Sequence, residues 1–236
     1  KHMKTQKTFL RYFVEFIVIL SGVSASFWVE EYRESLQNDE EMYKVLNNLK
    51  MELDEIDTYC KEREIVFNKD SEIINLLTNT QSNSLDSIIL LVDSTFEIEV
   101  AIIDYRGFRP PMDRYNSIIN EGTLKFVKSD KIKELLSQLN NTFYYYVRAN
   151  VDDEKTIQQK ISTYLIENYP EIILAENNLS LNNYLKNLKK KIDNDLTLKA
   201  YLKTKSRTMY VKTFFLKEYN KTLLILRDEI EEYLSV

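Results

Sequence analysis

The sequence predicts an all-α protein: an N-terminal transmembrane helix that continues into a long helix, followed by a soluble helical bundle, the whole homo-oligomeric. Three observations lead there. Tyr12 to Val29, YFVEFIVILSGVSASFWV, holds one charged residue, Glu15. Glycine and proline number only 3 each in 236 residues, so little in the chain stops a helix. Apolar residues also recur at seven-residue intervals, both after the apolar stretch and near the C-terminus.

The apolar stretch comes first. At about 1.5 Å per residue its 18 positions reach roughly 27 Å, the short end of what crosses a bilayer core of about 30 Å. Tyr12, Phe27, Trp28 and Tyr32 stand at its two ends, where interfacial aromatics belong. A buried core helix, a cleaved signal peptide and an amphipathic helix buried in an oligomer are the competing readings. The signal peptide fits less well, because apolar residues continue past Val23-Ser24-Ala25, the nearest small-residue cleavage site.

Projected at about 100° per residue, Thr8, Arg11, Glu15, Gly22, Ser26 and Arg33 fall near one line. A carboxylate near the membrane is costly without water or a partner, so Glu15 is expected to face other copies of the helix. Gly22 and Ser26, four apart, form a small-xxx-small pair that lets backbones approach closely. Two readings stay open: a plain dimerisation face with Glu15 paired to Arg11, or an oligomer seam that encloses a narrow polar path.

Orientation is contested by the chain itself. Lys4, Lys7 and Arg11 precede the span, whereas Glu30, Glu31 and Glu34 follow it with Arg33. The positive-inside rule keeps such an N-terminus in the cytoplasm and sends the body outside. Lys1-His2-Met3 reads as an appended remnant with Met3 the expected natural start, which leaves the remaining chain without histidine. With one cysteine, Cys60, there is no intramolecular disulfide, no Cys/His metal site and no Cys-His or Ser-His pair to expect, nor any cofactor. The reading is non-enzymatic. Hydrophobic residues at 44% make the chain too apolar for disorder.

The expected organisation is a tail over 1–11, cytoplasmic or translocated, the transmembrane helix over 12–29, a long stalk or core helix over 30–77, a helical core domain over 78–170, and a basic C-terminal region over 171–236. No Gly or Pro interrupts Val29 to Leu77, so the span is expected to run on into the stalk. One heptad series there holds Leu46, Leu53, Cys60, Phe67 and Ile74; the other holds Met42, Leu49, Ile56 and Leu77, broken by Arg63 and Asp70. Cys60 is read as a small core residue. Asn79 to Ser84 is a polar loop.

Leu85 to Val92 is apolar enough for burial, and Phe96 to Val100 alternates, so that propensity leaves strand and helix open there. Tyr105 to Pro111 reads as a turn region made flexible by Gly107. A helix from about Met112 is expected to stop near Gly122, with 123–128 a linker. Ser129-Asp130 caps a further helix running to about Asn168, ahead of Pro170. It contains Phe143-Tyr-Tyr-Tyr146, read as an inter-helix or subunit contact and, second, as a base-stacking platform.

The block Glu15-Phe-Ile-Val-Ile-Leu-Ser-Gly-Val-Ser-Ala-Ser-Phe-Trp-Val-Glu-Glu-Tyr-Arg-Glu34 resembles the opening of a bacterial family of uncharacterised single-pass membrane proteins. Tyr115-Asn-Ser-Ile-Ile-Asn-Glu-Gly-Thr-Leu-Lys-Phe-Val-Lys-Ser-Asp130 is similar to that family's second common block. Together the blocks cover roughly the first 145 residues. The family carries asparagines where this chain has Glu30 and Glu31, a departure that leaves orientation open. In outline the chain also resembles channel-forming membrane effectors of anti-phage systems of the Hailong type, with a short span, a helical body and a C-terminal sensing region.

The strongest chemical signal in the body begins after Ser180, a plausible N-cap. Between Asn183 and Lys221 eleven Lys/Arg face three carboxylates, a local +8 in a chain of −5. Such asymmetry suggests an anionic partner. A helix from about Asp195 to Leu234 repeats Leu202, Met209, Leu216, Leu223 and Ile230, with Leu198, Tyr219, Leu226 and Tyr233 on a companion series that Lys205 and Lys212 interrupt and Lys191 extends upstream.

Around an oligomer axis those lysines would form rings able to hold phosphates; alternatively they snorkel or pair with acidic helices. The expected anion or nucleotide contacts are Lys191, Lys205, Arg207 and Lys212, and Glu15, Gly22 and Ser26 are the expected pore or seam residues. The leading expectation is a homo-oligomeric ion-conducting effector of the bacterial inner membrane in anti-phage defence, gated by a nucleotide or short single-stranded nucleic acid. The alternative is a non-conducting scaffold, anchored in the bilayer, that recruits a partner protein.

Overall fold

A computed structural model describes residues 2–80, 84–174 and 180–235, with side chains from residue 12 onward. The described residues are all-helical, without a strand. Helix α1 runs unbroken from His2 to Thr78, so the apolar segment passes directly into the stalk, as the lack of Gly and Pro after Val29 predicts. The backbone of the expected tail is helical from His2, but its side chains lie outside the described residues, and with them the Arg11 partner expected for Glu15. Residues 81–83 of the polar loop also lie outside.

Two regimes share α1. From Tyr12 to Gln37 every residue is exposed, and none of the apolar window is buried. By length and composition this is a segment able to cross a membrane, and Trp28 at 78% exposure marks its far end. From Met42 onward the same helix buries one stripe: Met42, Val45, Leu46, Leu49, Leu53, Ile56, Cys60, Phe67, Ile74 and Leu77. The spacing of three, four and seven is that of a helix with one face in a core. Burial, helped by the Asp57 and Glu64 carboxylates, pushes the Cys60 thiol far up, which makes it an inert core residue.

The chain packs as two compact units, one comprising the chain up to Leu49 with Arg114–Lys128, the other Lys50–Asp113 with Ser129–Val236. Positions 78 and 171, expected as boundaries, both lie inside the second. In the first unit α4 (Asp113–Asn120) ends through Gly122, whose φ of 68° is the left-handed conformation that glycine adopts without a Cβ penalty. A single 3-10 turn, Thr123–Phe126, follows, and Lys128 pairs with Asp39 at 2.6 Å. Gly107, expected to supply flexibility, has no positive φ.

The second unit holds the core. Helix α2 (Ser84–Leu91) buries Ile88, and α3 (Thr95–Ile103) buries Ile98, Ala101 and Ile102. The ambiguous Phe96–Val100 stretch is thus helical, because those three apolar side chains share a helical face that meets the core. Ser129 caps α5 (Asp130–Ser137) by accepting the Ile132 N–H at 3.3 Å. The expected single helix to Asn168 changes pitch on the way: a π turn, Gln138–Phe143, separates α5 from α6 (Tyr144–Asn168). The Asn140 side-chain amide donates to the Leu136 carbonyl at 3.1 Å within this turn.

After the short α7 (Pro170–Ile173) come α8 (Leu181–Asn194) and the 40-residue α9 (Leu196–Ser235), which packs along α6. Leu198, Leu202, Met209, Leu216, Tyr219, Leu223, Leu226 and Ile230 of α9 are all fully buried, the two predicted series save Tyr233, which is half-buried. Phe108, from the loop after α3, sits among Tyr59, Tyr144 and Tyr219 with ring centroids 5.7, 5.9 and 5.5 Å away.

Asp195 starts α9. Its Oδ1 accepts the N–H groups of Thr197 and Leu198, at 2.9 and 3.0 Å, and its Oδ2 accepts the hydroxyls of Tyr164 and Tyr169, at 2.8 and 2.7 Å. Partial burial alone would raise this carboxyl, but the hydrogen bonds, led by Tyr169, hold it below its ordinary value. A carboxyl depressed in the folded state adds stability above its unfolded pKa of about 3.9 and loses it as pH falls through the folded value. Asp195→Ala is therefore expected to cost about 1–2 kcal/mol at neutral pH, in line with a lost helix cap. Denaturant melts of the full chain in detergent should show the gap between wild type and variant narrowing below about pH 4.

Candidate functional site

Two sets of cations share α9, and they differ in what they face. The inward set interrupts the apolar seam. Lys205 is fully buried, and its Nζ donates to the carbonyl oxygens of Ala101 at 2.7 Å, Ile102 at 3.0 Å and Asp104 at 2.5 Å. These carbonyls close α3, whose last turn has no further N–H groups of its own to offer them. Lys212 is fully buried too, ion-paired with Glu154 of α6 and lying 3.8 Å from the centre of the Phe67 ring. Burial pushes both ammonium groups down, Lys205 to about 8, while the Glu154 carboxylate opposes the shift.

Next to them Arg106 donates to Asp70 of α1 at 2.8 Å, and this bond chiefly raises the guanidinium. Asp70, one of the two breaks in the stalk heptads, is buried for that reason.

The four residues expected to hold an anion are not brought together. Lys205 and Lys212 present no surface to solvent in this chain, since a desolvated ammonium is costly unless acceptors surround it. They pair with acidic and carbonyl groups instead of lining open rings. Lys191, on α8, pairs with Glu171 at 2.9 Å and lies over the Tyr169 ring. Arg207 alone of the four is exposed, with no ion pair or hydrogen bond among the described residues.

Arg207 belongs to the outward set. Lys203, Arg207, Tyr210, Phe214, Lys217 and Lys221 follow one another at spacings of four, three, four, three and four, and all are exposed. Such spacing places them on one face of α9. Tyr210 is 71% and Phe214 51% exposed. Lys217 reaches Glu64 at 3.6 Å; Lys203, Arg207 and Lys221 have no ion-pair partner among the described residues.

The aromatic surface extends sideways onto α6. Phe214 meets Phe215 edge-on at 5.4 Å, Phe215 stacks on Tyr146 at 4.8 Å, and Tyr146 meets Tyr145 at 6.0 Å. The Phe143–Tyr146 run therefore splits: Tyr144 packs on Phe108 of the loop after α3, while Tyr145 and Tyr146 stand exposed, Tyr146 stacked on Phe215 of α9. Sequence reasoning found Arg207 and missed its neighbours. The same seven-residue count, started at Lys203 and Arg207 rather than at the leucines, would have found them.

In the apolar segment Glu15, Gly22 and Ser26 are exposed along α1. The Ser26 hydroxyl donates to the Gly22 carbonyl of its own helix at 2.9 Å, and a Cβ at Gly22 would meet nothing within 4 Å. Among the described residues no His, Cys, Asp or Glu cluster suits a metal ion. No family model, curated protein or solved structure matches this chain.

The buried pair makes a testable demand. Lys212→Met leaves Glu154 charged and unpartnered in the core and is expected to cost about 3–5 kcal/mol, whereas Lys212→Met with Glu154→Leu should recover most of that loss. Urea melts of the full chain in detergent, compared around the double-mutant cycle, give the coupling directly.

Proposed function

We propose that this chain is a membrane-anchored, homo-oligomeric effector of bacterial inner membranes, serving in anti-phage defence. Its N-terminal helices assemble into an ion-conducting path, and its helical body responds to a short single-stranded nucleic acid. One observation carries the reading: an exposed apolar segment continues without a break into a helical body that presents cations interleaved with aromatics on the outward face of α9.

Cations that track a phosphate backbone, interleaved with rings on which bases stack, are the chemistry by which single strands are held without sequence readout. Glu15 lines the path and Gly22 with Ser26 packs the seam. Arg207, with Lys203, Lys217 and Lys221, contacts phosphates, and Tyr210 and Phe214 stack with bases. Gating requires that the oligonucleotide bind one packing of the body better than the other, and α1 provides a continuous hydrogen-bonded path from body to membrane.

An oligodeoxynucleotide of about ten residues is expected to bind the detergent-solubilised protein with log K falling against log salt at a slope of about −2 to −3, as four phosphate contacts give for a single strand. Arg207→Ala should lessen that slope by about 0.7, and Phe214→Ala should weaken binding about tenfold or more with the slope unchanged. A slope near zero would remove the nucleic-acid reading.

In liposomes carrying the protein, oligonucleotide addition should change ion flux, and Glu15→Leu should abolish flux while leaving membrane insertion intact. The second reading, a non-conducting scaffold that recruits a protein, is favoured by the Ser26 hydroxyl being satisfied within its own helix, which suits a dry packing seam. Absence of flux from wild-type protein with oligonucleotide binding retained would select it.

A further inference from the structure

The loop between α3 and α4, residues 104–112, roofs a pocket of about 340 Å³ in the second unit, lined by Asp104, Tyr105, Gly107, Phe108, Arg109, Arg148, Val151, Asp152 and Lys155. Its volume is within the range of small-molecule sites. Three cations and two carboxylates converge there. The guanidinium groups of Arg109 and Arg148 have no ion-pair or hydrogen-bond partner among the described residues, although Arg148 is half-buried. Lys155 lies over the Tyr105 ring at 5.6 Å. Asp104 spends one carboxylate oxygen on the Tyr105 N–H at 2.7 Å, and the Asp152 carboxylate is exposed.

We infer that this pocket binds a small organic phosphate bearing hydroxyl groups, at a site separate from the α9 face. Two guanidinium groups without partners supply the forked donors that suit a phosphate, and Lys155 adds a point charge. The two carboxylates make the pocket poor for a bare anion and fit a ligand that also donates, since hydroxyls satisfy Asp104 and Asp152. Phe108 and Val151 give the ligand an apolar floor.

The loop is tied to α1 at two points, through Arg106 to Asp70 and through the Arg109 backbone N–H to the Tyr59 hydroxyl at 2.6 Å. It is tied to α9 through Lys205 and the Asp104 carbonyl. A ligand that fixes the loop therefore acts on the helix that leads to the membrane.

The test titrates ribose 5-phosphate and, separately, inorganic phosphate into the detergent-solubilised full chain by calorimetry, with hydrogen exchange read over 104–112. Ribose 5-phosphate should bind saturably below millimolar concentration and slow exchange in the loop, and inorganic phosphate should bind at least tenfold more weakly. Arg148→Ala and Arg109→Ala should each weaken the sugar phosphate tenfold or more at unchanged helical content, with Arg148→Lys recovering part of the loss. Arg207→Ala, on the α9 face, should bind it like wild type. No binding of either probe at millimolar concentration, equal binding of both, or binding unaltered by the Arg109 and Arg148 substitutions would overturn the inference. Failure of the oligonucleotide reading would leave these results untouched, because none of them depends on the α9 face or on flux.

Discussion

The Lys212–Glu154 ion pair is the constraint on which the second unit depends. It joins α6 to α9 at a fully buried point against the Phe67 ring of α1, so three helices share one electrostatic contact. A buried pair is poor at adding net stability, because desolvating both ions offsets most of their attraction. Its effect lies in what it forbids. Sliding α9 by one turn would leave a buried carboxylate and a buried ammonium without partners, at a cost no apolar seam imposes. Lys205 repeats the logic seven residues earlier, where its ammonium fits only the cluster of carbonyls that ends α3. Leucines alone allow neighbouring registers; these two lysines select one.

That selection bears on α1 as well. Arg106 and Phe108, in the loop that Lys205 anchors, are set against Asp70 and Tyr59 of α1. The stalk portion of α1 is thereby held by polar contacts specific to its rotation about its own axis, besides apolar burial. The apolar portion is not buried in this way: Tyr12 to Gln37 is exposed throughout. One helix therefore joins a segment whose rotation is fixed by packing to an exposed apolar segment long enough to cross a membrane.

Much of this was legible in the sequence. The α9 series Leu202, Met209, Leu216, Leu223 and Ile230, and the stalk series through Cys60, are local periodicities, and every member is buried. Gly122 and Ser129 were legible because caps and left-handed turns are set by single residues. What escaped was non-local. Lys205 and Lys212 were visible as interruptions of the seam, but the partners that explain them lie 58 to 104 residues away, at Glu154 and at the end of α3. The helical state of Phe96–Val100 escaped for the same reason, since alternation and helix periodicity cannot be told apart over five residues. The capping role of Asp195 rests partly on two tyrosine hydroxyls from α6 and the turn after it.

The charge of the C-terminal region reads differently once its lysines are sorted by direction. Taken as composition, the +8 between Asn183 and Lys221 suggests one basic patch. In the fold that charge is divided. Lys189, Lys191, Lys199, Lys205 and Lys212 are engaged by carboxylates or carbonyls and build the body. Lys203, Arg207 and Lys221, with the loosely held Lys217, project to solvent beside Tyr210 and Phe214, and Lys186 and Lys190 of α8 are exposed as well. On α9 itself Lys205 and Lys212, seven apart, face inward while Lys203, Arg207, Lys217 and Lys221 face outward, so the register that buries one set also lines up the other. The buried lysines fix the rotation of α9 that turns this face outward.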